Sequence, residues 1–261
     1  MTAKIIGLTE WFGTAPGRYL LDWEQTQFDQ AAVDLFGFNA LQLGLPELET
    51  LRSNRMPHRW LAAPELPLAP ESEPAPSPRA ALVTDAAALP FPAASLDLVV
   101  LPHTLELSAD PHQVLREVER VLVPEGRVVV SGFNPASLWG FRQARGRLCA
   151  QLGITALGAS SLYLPEAGEF IGPWRLRDWL RLLSFEVEAD RFGCYRPAVR
   201  SEKWLQRYAW LDRAGARSWP IFGAVYFMVA VKRVRGMRLL GPAWKPRRAG
   251  AAAPVQVANR R

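Results

Sequence analysis

Short apolar runs alternate with polar turns and one amphipathic segment over residues 80–133. The runs AALVTD (80–85), LDLVVL (96–101) and GRVVVSGF (126–133) predict three strands, and the segment 110–122 predicts a helix before the last of them. Strands of nearly continuous Val and Leu that alternate with helices indicate a parallel sheet covered on both faces. We therefore predict a doubly wound α/β fold.

The first sixty residues predict one helix and two more strands. Apolar residues recur at helical spacing over 17–36; they are Leu21, Phe28, Ala32 and Leu35. NALQLG (39–44) and HRWLAA (58–63) predict strands. Between them, PELETLRSN predicts a helix with Pro46 at its first position, where proline is favoured.

Beyond residue 133 the pattern predicts helices over 136–152, 172–184 and 201–215. The first of these places four apolar residues on one helical face: Leu138, Phe141, Leu148 and Leu152. FEVEADRF (185–192) predicts a strand, and the closing apolar run 223–234 predicts a strand long enough to pair antiparallel with it.

The distribution of charge argues against nucleic acid as a partner. The chain of 261 residues carries a net charge of +6, yet nine basic residues and no acidic residue fall between Lys232 and Arg261. Residues 1–231 are therefore slightly acidic. The Pro-, Gly- and Ala-rich segment 235–261 predicts a disordered basic tail, and six prolines over 64–78 predict a surface insertion.

Nothing in the sequence predicts export, a metal site or a membrane span. Cys149 and Cys194 form no metal-ligand spacing or disulfide framework, which indicates a reducing compartment. The longest apolar run, IFGAVYFMVAV at 221–231, is too short to span a bilayer. We expect a cytoplasmic protein.

The segment TDAAALPFPAASLDLVVLPHTLELSADPHQVLREVERVLVPEGRVVVSGFNP resembles class I S-adenosylmethionine-dependent methyltransferases of the type 11 family. Its Asp after the third strand, Leu-Pro-Phe-Pro corner, His-x-Leu-Glu turn and Asp-Pro helix start follow the family's order. The resemblance implies a Rossmann-like methyltransferase fold over 37–234, after an N-terminal helical segment over 1–36. Its sheet would be mostly parallel and seven-stranded, with an antiparallel C-terminal strand, and its cofactor would be S-adenosyl-L-methionine.

The resemblance also implies six cofactor-binding residues: Leu43, Gly44, Asp85, Ala86, Leu101 and His103. Asp85 would bind the adenine amine with the Ala86 N–H as companion donor, although Asp is also a common turn residue. His103 would contact the reacting end of the cofactor; a satisfied buried imidazole and a general base are the alternatives. No catalytic residue is assigned.

The loop after the first strand departs from the family pattern. Family members usually carry Gly-x-Gly-x-Gly there, whereas LQLGLPEL retains only Gly44 and has Pro46 at the next Gly position. The sole nearby candidate for a ribose-binding acid is Glu65. Two hypotheses follow. One is methyl transfer to an unidentified acceptor, expected to be a small molecule, and the other is a catalytically inactive methyltransferase-like binding or regulatory protein.

Overall fold

The computed structural model describes residues 8–64, 80–152, 163–165 and 168–233. Glu65, the predicted tail at 235–261 and all but Pro64 of the predicted insertion at 64–78 lie outside the described residues.

Seven strands form one sheet in the order β3-β2-β1-β4-β5-β7-β6. They are β1 (Asn39–Leu43), β2 (His58–Ala63), β3 (Leu82–Val83), β4 (Leu96–Pro102), β5 (Leu122–Phe133), β6 (Phe185–Gly193) and β7 (Val225–Lys232). The pairs among β1 to β5 are parallel, and β7 pairs antiparallel with both β5 and β6. The predicted mostly parallel seven-stranded sheet with an antiparallel C-terminal strand is confirmed.

Eight helices accompany the sheet within the described residues. They are α1 (Leu8–Phe12), α2 (Ala15–Val33), α3 (Thr104–Leu107), α4 (Pro111–Val121), α5 (Leu138–Gln151), α6 (Pro173–Leu182), α7 (Glu202–Arg207) and α8 (Trp210–Ser218). Prolines start α4 and α6 at the first helical position, where no N–H is needed. None of the helices described is long and apolar enough to cross a membrane.

The prediction of a helix that begins at Pro46 is wrong, because residues 44–57 form turns. Leu45, the residue before Pro46, has a left-handed backbone with φ 48°. The carbonyls of Leu45 and Leu48 accept hydrogen bonds from the side chain of Gln42. A strand side chain therefore takes acceptors that a helix would have used for its own N–H groups.

The two faces of the sheet are covered by different helices. Helix α2 covers one face, where Phe28 packs edge-on against Phe227 of β7 with ring centroids 5.0 Å apart. The other face packs against α4 and α6 through residues such as Val114 and Leu176. The buried side of α2 follows positions four apart, and Glu24 occupies one of them between Leu20 and Phe28.

Helix α5 turns its apolar side outward. The predicted face of Leu138, Phe141, Leu148 and Leu152 is exposed to solvent. The opposite side contains Trp139 and Gln143, both buried. The helix was predicted correctly from the pattern, but its apolar positions do not contribute to the core.

Candidate functional site

The carboxyl ends of the central strands meet at one edge of the sheet, where the candidate residues lie. Thr104 Oγ1 donates to the Leu43 carbonyl at 2.6 Å and so ties the end of β4 to the end of β1. The Gly44 N–H donates to Ala62 of β2 at 2.7 Å. The direction of winding reverses between β1 and β4, and in open α/β sheets ligands bind outside the strand ends at such a point.

Gly44 has a left-handed backbone and open space beside it. Its φ is +76°, and among the described residues a Cβ built there would meet only Thr104 Oγ1, at 3.7 Å. A glycine with such space at a strand end allows close approach of a ligand to the backbone. The side chain of its neighbour Leu43 is buried.

The loop after β1 is held by the buried side chain of Gln42. Its Nε2 donates to the carbonyls of Leu45 at 2.9 Å and Leu48 at 2.7 Å, and its Oε1 accepts from Thr50 N and Thr50 Oγ1. One side chain thus satisfies backbone groups across the loop. The sequence signal for this role is a single polar residue inside the apolar run ALQL at 40–43.

Asp85 follows the short strand β3 and is exposed to solvent. Its Oδ1 accepts from the Ala87 N–H at 2.9 Å, which is an Asx turn. The Thr84 N–H donates to Ala63 of β2 at 3.1 Å, so this turn begins at the same sheet edge as Gly44. Asp85 is therefore a turn residue, and its exposure is compatible with a ligand role as well. Its neighbour Ala86 is half-buried.

Leu101 and His103 lie at the end of β4 and are both buried. The Leu101 side chain packs in the core on the face that α4 and α6 cover. His103 has a φ of 52° and is 1% exposed. Its imidazole lies between two carboxylates: Nε2 is 3.0 Å from Glu24 Oε1, and Nδ1 is 2.8 Å from Glu106 Oε2.

The cluster of Glu24, His103 and Glu106 joins helix α2 to the ends of β4 and β5. Glu106 Oε1 also accepts from the Phe133 N–H at 2.6 Å. Burial alone lowers the pKa of His103, but Glu24 and Glu106 together outweigh it and raise that pKa to about 10. Burial raises the pKa of Glu106. His103 therefore holds a proton at neutral pH.

Glu24 was not anticipated from the sequence. It lies four residues from Leu20 and from Phe28 on the buried side of α2. Its position in the helix therefore predicts a buried side chain, whereas its charge predicts an exposed one. Asp97, at the start of β4, makes a structural contact instead. Its Oδ2 accepts from the N–H groups of Phe38 and Asn39, both at 2.9 Å, at the opposite end of β4.

The raised pKa of His103 predicts that the protein loses stability as the pH rises. The folded state binds the proton up to about pH 10, whereas an unfolded histidine releases it near pH 6.5. The contribution is complete below about pH 6.5 and decreases by up to about 1.4 kcal/mol per pH unit above it. Urea unfolding between about pH 7 and pH 8.5 measures this slope.

A His103→Gln variant is the reference for that measurement. We expect its free energy of unfolding to vary less with pH than that of the wild type over the same range. Equal slopes in the two proteins would contradict the protonated state assigned to His103.

The strand order, with an antiparallel seventh strand between β5 and β6, defines the Rossmann-like methyltransferase fold. A crystal structure of an S-adenosylmethionine-dependent methyltransferase from Archaeoglobus fulgidus has this fold, with a TM-score of 0.52 and 17% identity over 81% of this chain and 94% of that one. Residues 63–130 match the family model described as methyltransferase domain. The match confirms the predicted resemblance to this family over residues 63–130, and the solved structure confirms the predicted fold.

Two curated proteins share parts of the sequence. The uncharacterized protein YafS of Escherichia coli (strain K12) is 35% identical over 146 residues, which cover 56% of this chain and 52% of that protein. The demethylmenaquinone methyltransferase of Thermus thermophilus is 35% identical over 116 residues, which cover 42% of this chain and 53% of that protein. The chain thus spans about half the length of both relatives.

Proposed function

We propose that the protein binds S-adenosylmethionine at the carboxyl edge of the sheet and transfers its methyl group to an unidentified acceptor. The observation that carries this proposal is the position of Gly44 and Asp85. Both lie at strand ends beside the reversal point of a methyltransferase sheet, Gly44 with open space and Asp85 with an exposed carboxylate. The family match over 63–130 includes Asp85 and supports it.

The strand-end residues fit the adenosine half of the cofactor better than the methionine half. Asp85 would accept from the adenine amine, with the Ala86 N–H as donor to a ring nitrogen, and the cofactor would pass Gly44 next to Leu43. The turn after β1 offers no helix N-terminus for the methionine carboxylate, because residues 44–57 contain no helix. Leu101 would act by packing beneath the edge, since its side chain is buried.

S-adenosylmethionine supplies an already activated methyl group, so the protein mainly has to align the reactants. Both imidazole nitrogens of His103 are within ion-pair distance of carboxylates. A histidine that already holds its proton cannot accept one from the acceptor at neutral pH. In this proposal His103 is therefore a positioning residue, which keeps α2 docked over the end of β4, and not the general base.

A catalytically inactive binding protein is the second candidate, and the loop after β1 favours it. Gln42 holds this loop from inside through its bonds to Leu45, Leu48 and Thr50. A loop whose buried backbone groups already have hydrogen-bond partners within the protein needs no ligand to order it. This candidate predicts a stable protein that does not bind the cofactor.

The acceptor is proposed to be a small molecule, as the name of the Thermus thermophilus relative states for that protein. A nucleic-acid acceptor is disfavoured because the excess of basic over acidic residues lies after residue 231. The cytoplasmic location remains a prediction.

Calorimetric titration with S-adenosylmethionine and with S-adenosylhomocysteine tests the proposal. We expect both ligands to bind with near one-to-one stoichiometry and to raise the melting temperature. The Asp85→Ala variant is expected to bind about 10- to 150-fold more weakly, because it loses a charge-assisted hydrogen bond of roughly 1.5–3 kcal/mol.

Two further variants make the result specific to the ligand role of Asp85. Asp85→Asn retains an acceptor for the Ala87 N–H, so it keeps the turn and loses the charge. We expect it to fold normally and to bind more weakly than the wild type. Asp178→Ala, an exposed acid on α6, is expected to bind like the wild type. Absence of heat and of a thermal shift with both ligands would favour the inactive candidate.

A further inference from the structure

Helix α5 carries a row of apolar side chains on its solvent side. Four residues form this row, the α5 stripe, with exposed fractions between 55 and 69%; they are Leu138, Phe141, Leu148 and Leu152. Spacings of three, seven and four residues place them on one side of the helix. Amphipathic surface helices normally turn such a side to the core. The α5 stripe therefore has no apolar cover among the described residues.

The opposite side of α5 is the one bound to the rest of the protein. Trp139 Nε1 donates to the Arg196 carbonyl at 2.7 Å, and Gln143 Nε2 donates to the Leu164 carbonyl at 3.1 Å. These buried contacts fix the rotation of the helix. The outward orientation of the α5 stripe is thus set by specific hydrogen bonds on the inner side.

The charges of α5 indicate what the stripe contacts. The helix contains Arg142, Arg145 and Arg147 and no acidic residue. Arg145 is exposed and shares the side of the stripe, four residues after Phe141. Arg142 and Arg147 instead pack over the rings of Tyr163 and Phe170. A second copy docked antiparallel through the same stripe would bring Arg145, at the middle of the row, against its own counterpart. The surface of an anionic bilayer offers an apolar layer beneath phosphate groups, which matches a row of Leu and Phe around Arg145.

The length of α5 fits a helix that lies in the plane of a membrane surface. Its 14 residues span about 21 Å, which is too short to cross a hydrocarbon core of about 30 Å. An exposed apolar row of this length can enter the boundary between headgroups and acyl chains while the inner side of the helix stays bound to the protein.

Helices α7 and α8 add a second, independent observation. Trp204 and Trp210 on these helices and Trp219 directly after α8 are exposed, with four exposed basic residues, Lys203, Arg207, Arg213 and Arg217, and one exposed acid, Glu202. Arg196 connects this region to α5, since its carbonyl accepts from Trp139 and its Nε donates to Asp212 of α8 at 2.9 Å. Tryptophan and basic side chains are favoured at the membrane interface.

We propose that the α5 stripe, together with the exposed tryptophan and basic side chains of α7 and α8, docks on an anionic lipid surface. The proposal is independent of methyl transfer, because none of these residues belongs to the candidate cofactor site. It makes the protein a peripheral membrane binder with α5 at the contact.

Vesicle co-sedimentation of the full chain tests the proposal. We expect binding to vesicles of phosphatidylcholine mixed with phosphatidylglycerol, weaker binding to phosphatidylcholine alone, and release by salt. A Phe141→Ser, Leu148→Ser double variant is expected to lose at least about tenfold in partitioning, because two large apolar side chains no longer enter the lipid. An Arg145→Glu variant is expected to lose the preference for anionic vesicles.

Matched controls lie on α6. Leu182 is 82% exposed, and Arg181 is an exposed arginine on the same helix. Leu182→Ser and Arg181→Glu are expected to sediment like the wild type. Because all the substituted side chains are exposed, the variants are expected to retain the wild-type circular dichroism and denaturation midpoint.

Four results would overturn the proposal. The first is no sedimentation of the wild type with anionic vesicles. The second is unchanged binding by the α5 variants, which would assign the contact to other residues, such as the basic ones after residue 231. The third is a dimer that the wild type forms without lipid and that the double variant does not form. The fourth is a clear loss of stability in the double variant, which would mean that the chain itself covers the stripe.

Discussion

Replacing His103 with alanine is expected to destabilise the protein by about 3–5 kcal/mol, which is the usual cost of removing one partner from a buried charge cluster. The substitution leaves the carboxylates of Glu24 and Glu106 buried close to each other without the imidazolium that now lies between them. Urea or guanidinium denaturation measures the change as a lower midpoint.

Two further measurements show whether the loss of stability is specific to His103 and its carboxylates or follows the removal of any histidine. His58 is exposed and stacks on Trp60, so His58→Ala is expected to change stability by less than about 1 kcal/mol. Adding Glu24→Gln to His103→Ala removes one of the unpaired charges and is expected to recover part of the loss. If His103→Ala were no more destabilising than His58→Ala, the cluster would contribute little to folding.

Replacing Gln42 with alanine is expected to cost about 3 kcal/mol, because buried groups left without a partner cost roughly 1–3 kcal/mol each. The Leu48 carbonyl loses its side-chain donor, the Leu45 carbonyl keeps only the Leu48 N–H at 3.2 Å, and Thr50 loses the acceptor for its N–H and its hydroxyl. The loop after β1 is expected to open, which faster hydrogen exchange of the Thr50 amide would report.

Gln25 provides a matched control, because it contacts the same loop from outside. Its amide exchanges two hydrogen bonds with the backbone of Glu49, both at 3.1 Å and both exposed to water. Water replaces such bonds, so Gln25→Ala is expected to cost less than about 1 kcal/mol. Similar losses from Gln42→Ala and Gln25→Ala would mean that burial of Gln42 does not matter to the loop.

The strands were largely predictable because their signal is local. HRWLAA at 58–63 coincides with β2, and FEVEADRF differs from β6 by one residue. The absence of a helix after β1 could not be predicted from the sequence, since Pro46 and the residues after it have an ordinary helical pattern. Its absence depends on the side chain of Gln42, which satisfies carbonyls that a helix would otherwise use. Such a contact is not encoded in hydrophobic periodicity.

The same limit applies to the site. The family resemblance located Gly44, Asp85 and His103 at strand ends, because the motif itself fixes their positions along the chain. It did not identify Glu24, whose contact with His103 joins positions 79 residues apart. Nor did periodicity reveal which side of α5 faces solvent, since it locates an apolar side and not its neighbours.

The docking of α2 has a consequence for the order in which the chain folds. Gln27 and Gln30 accept hydrogen bonds from Arg191 of β6, 164 and 161 residues away, and Phe28 packs on Phe227 of β7. Helix α2 therefore emerges early from the ribosome but completes its contacts only when the last strand has been made. Contacts of such sequence separation form slowly, because a long loop must close first. Until then the apolar side of α2 around Phe28 stays open to chaperones.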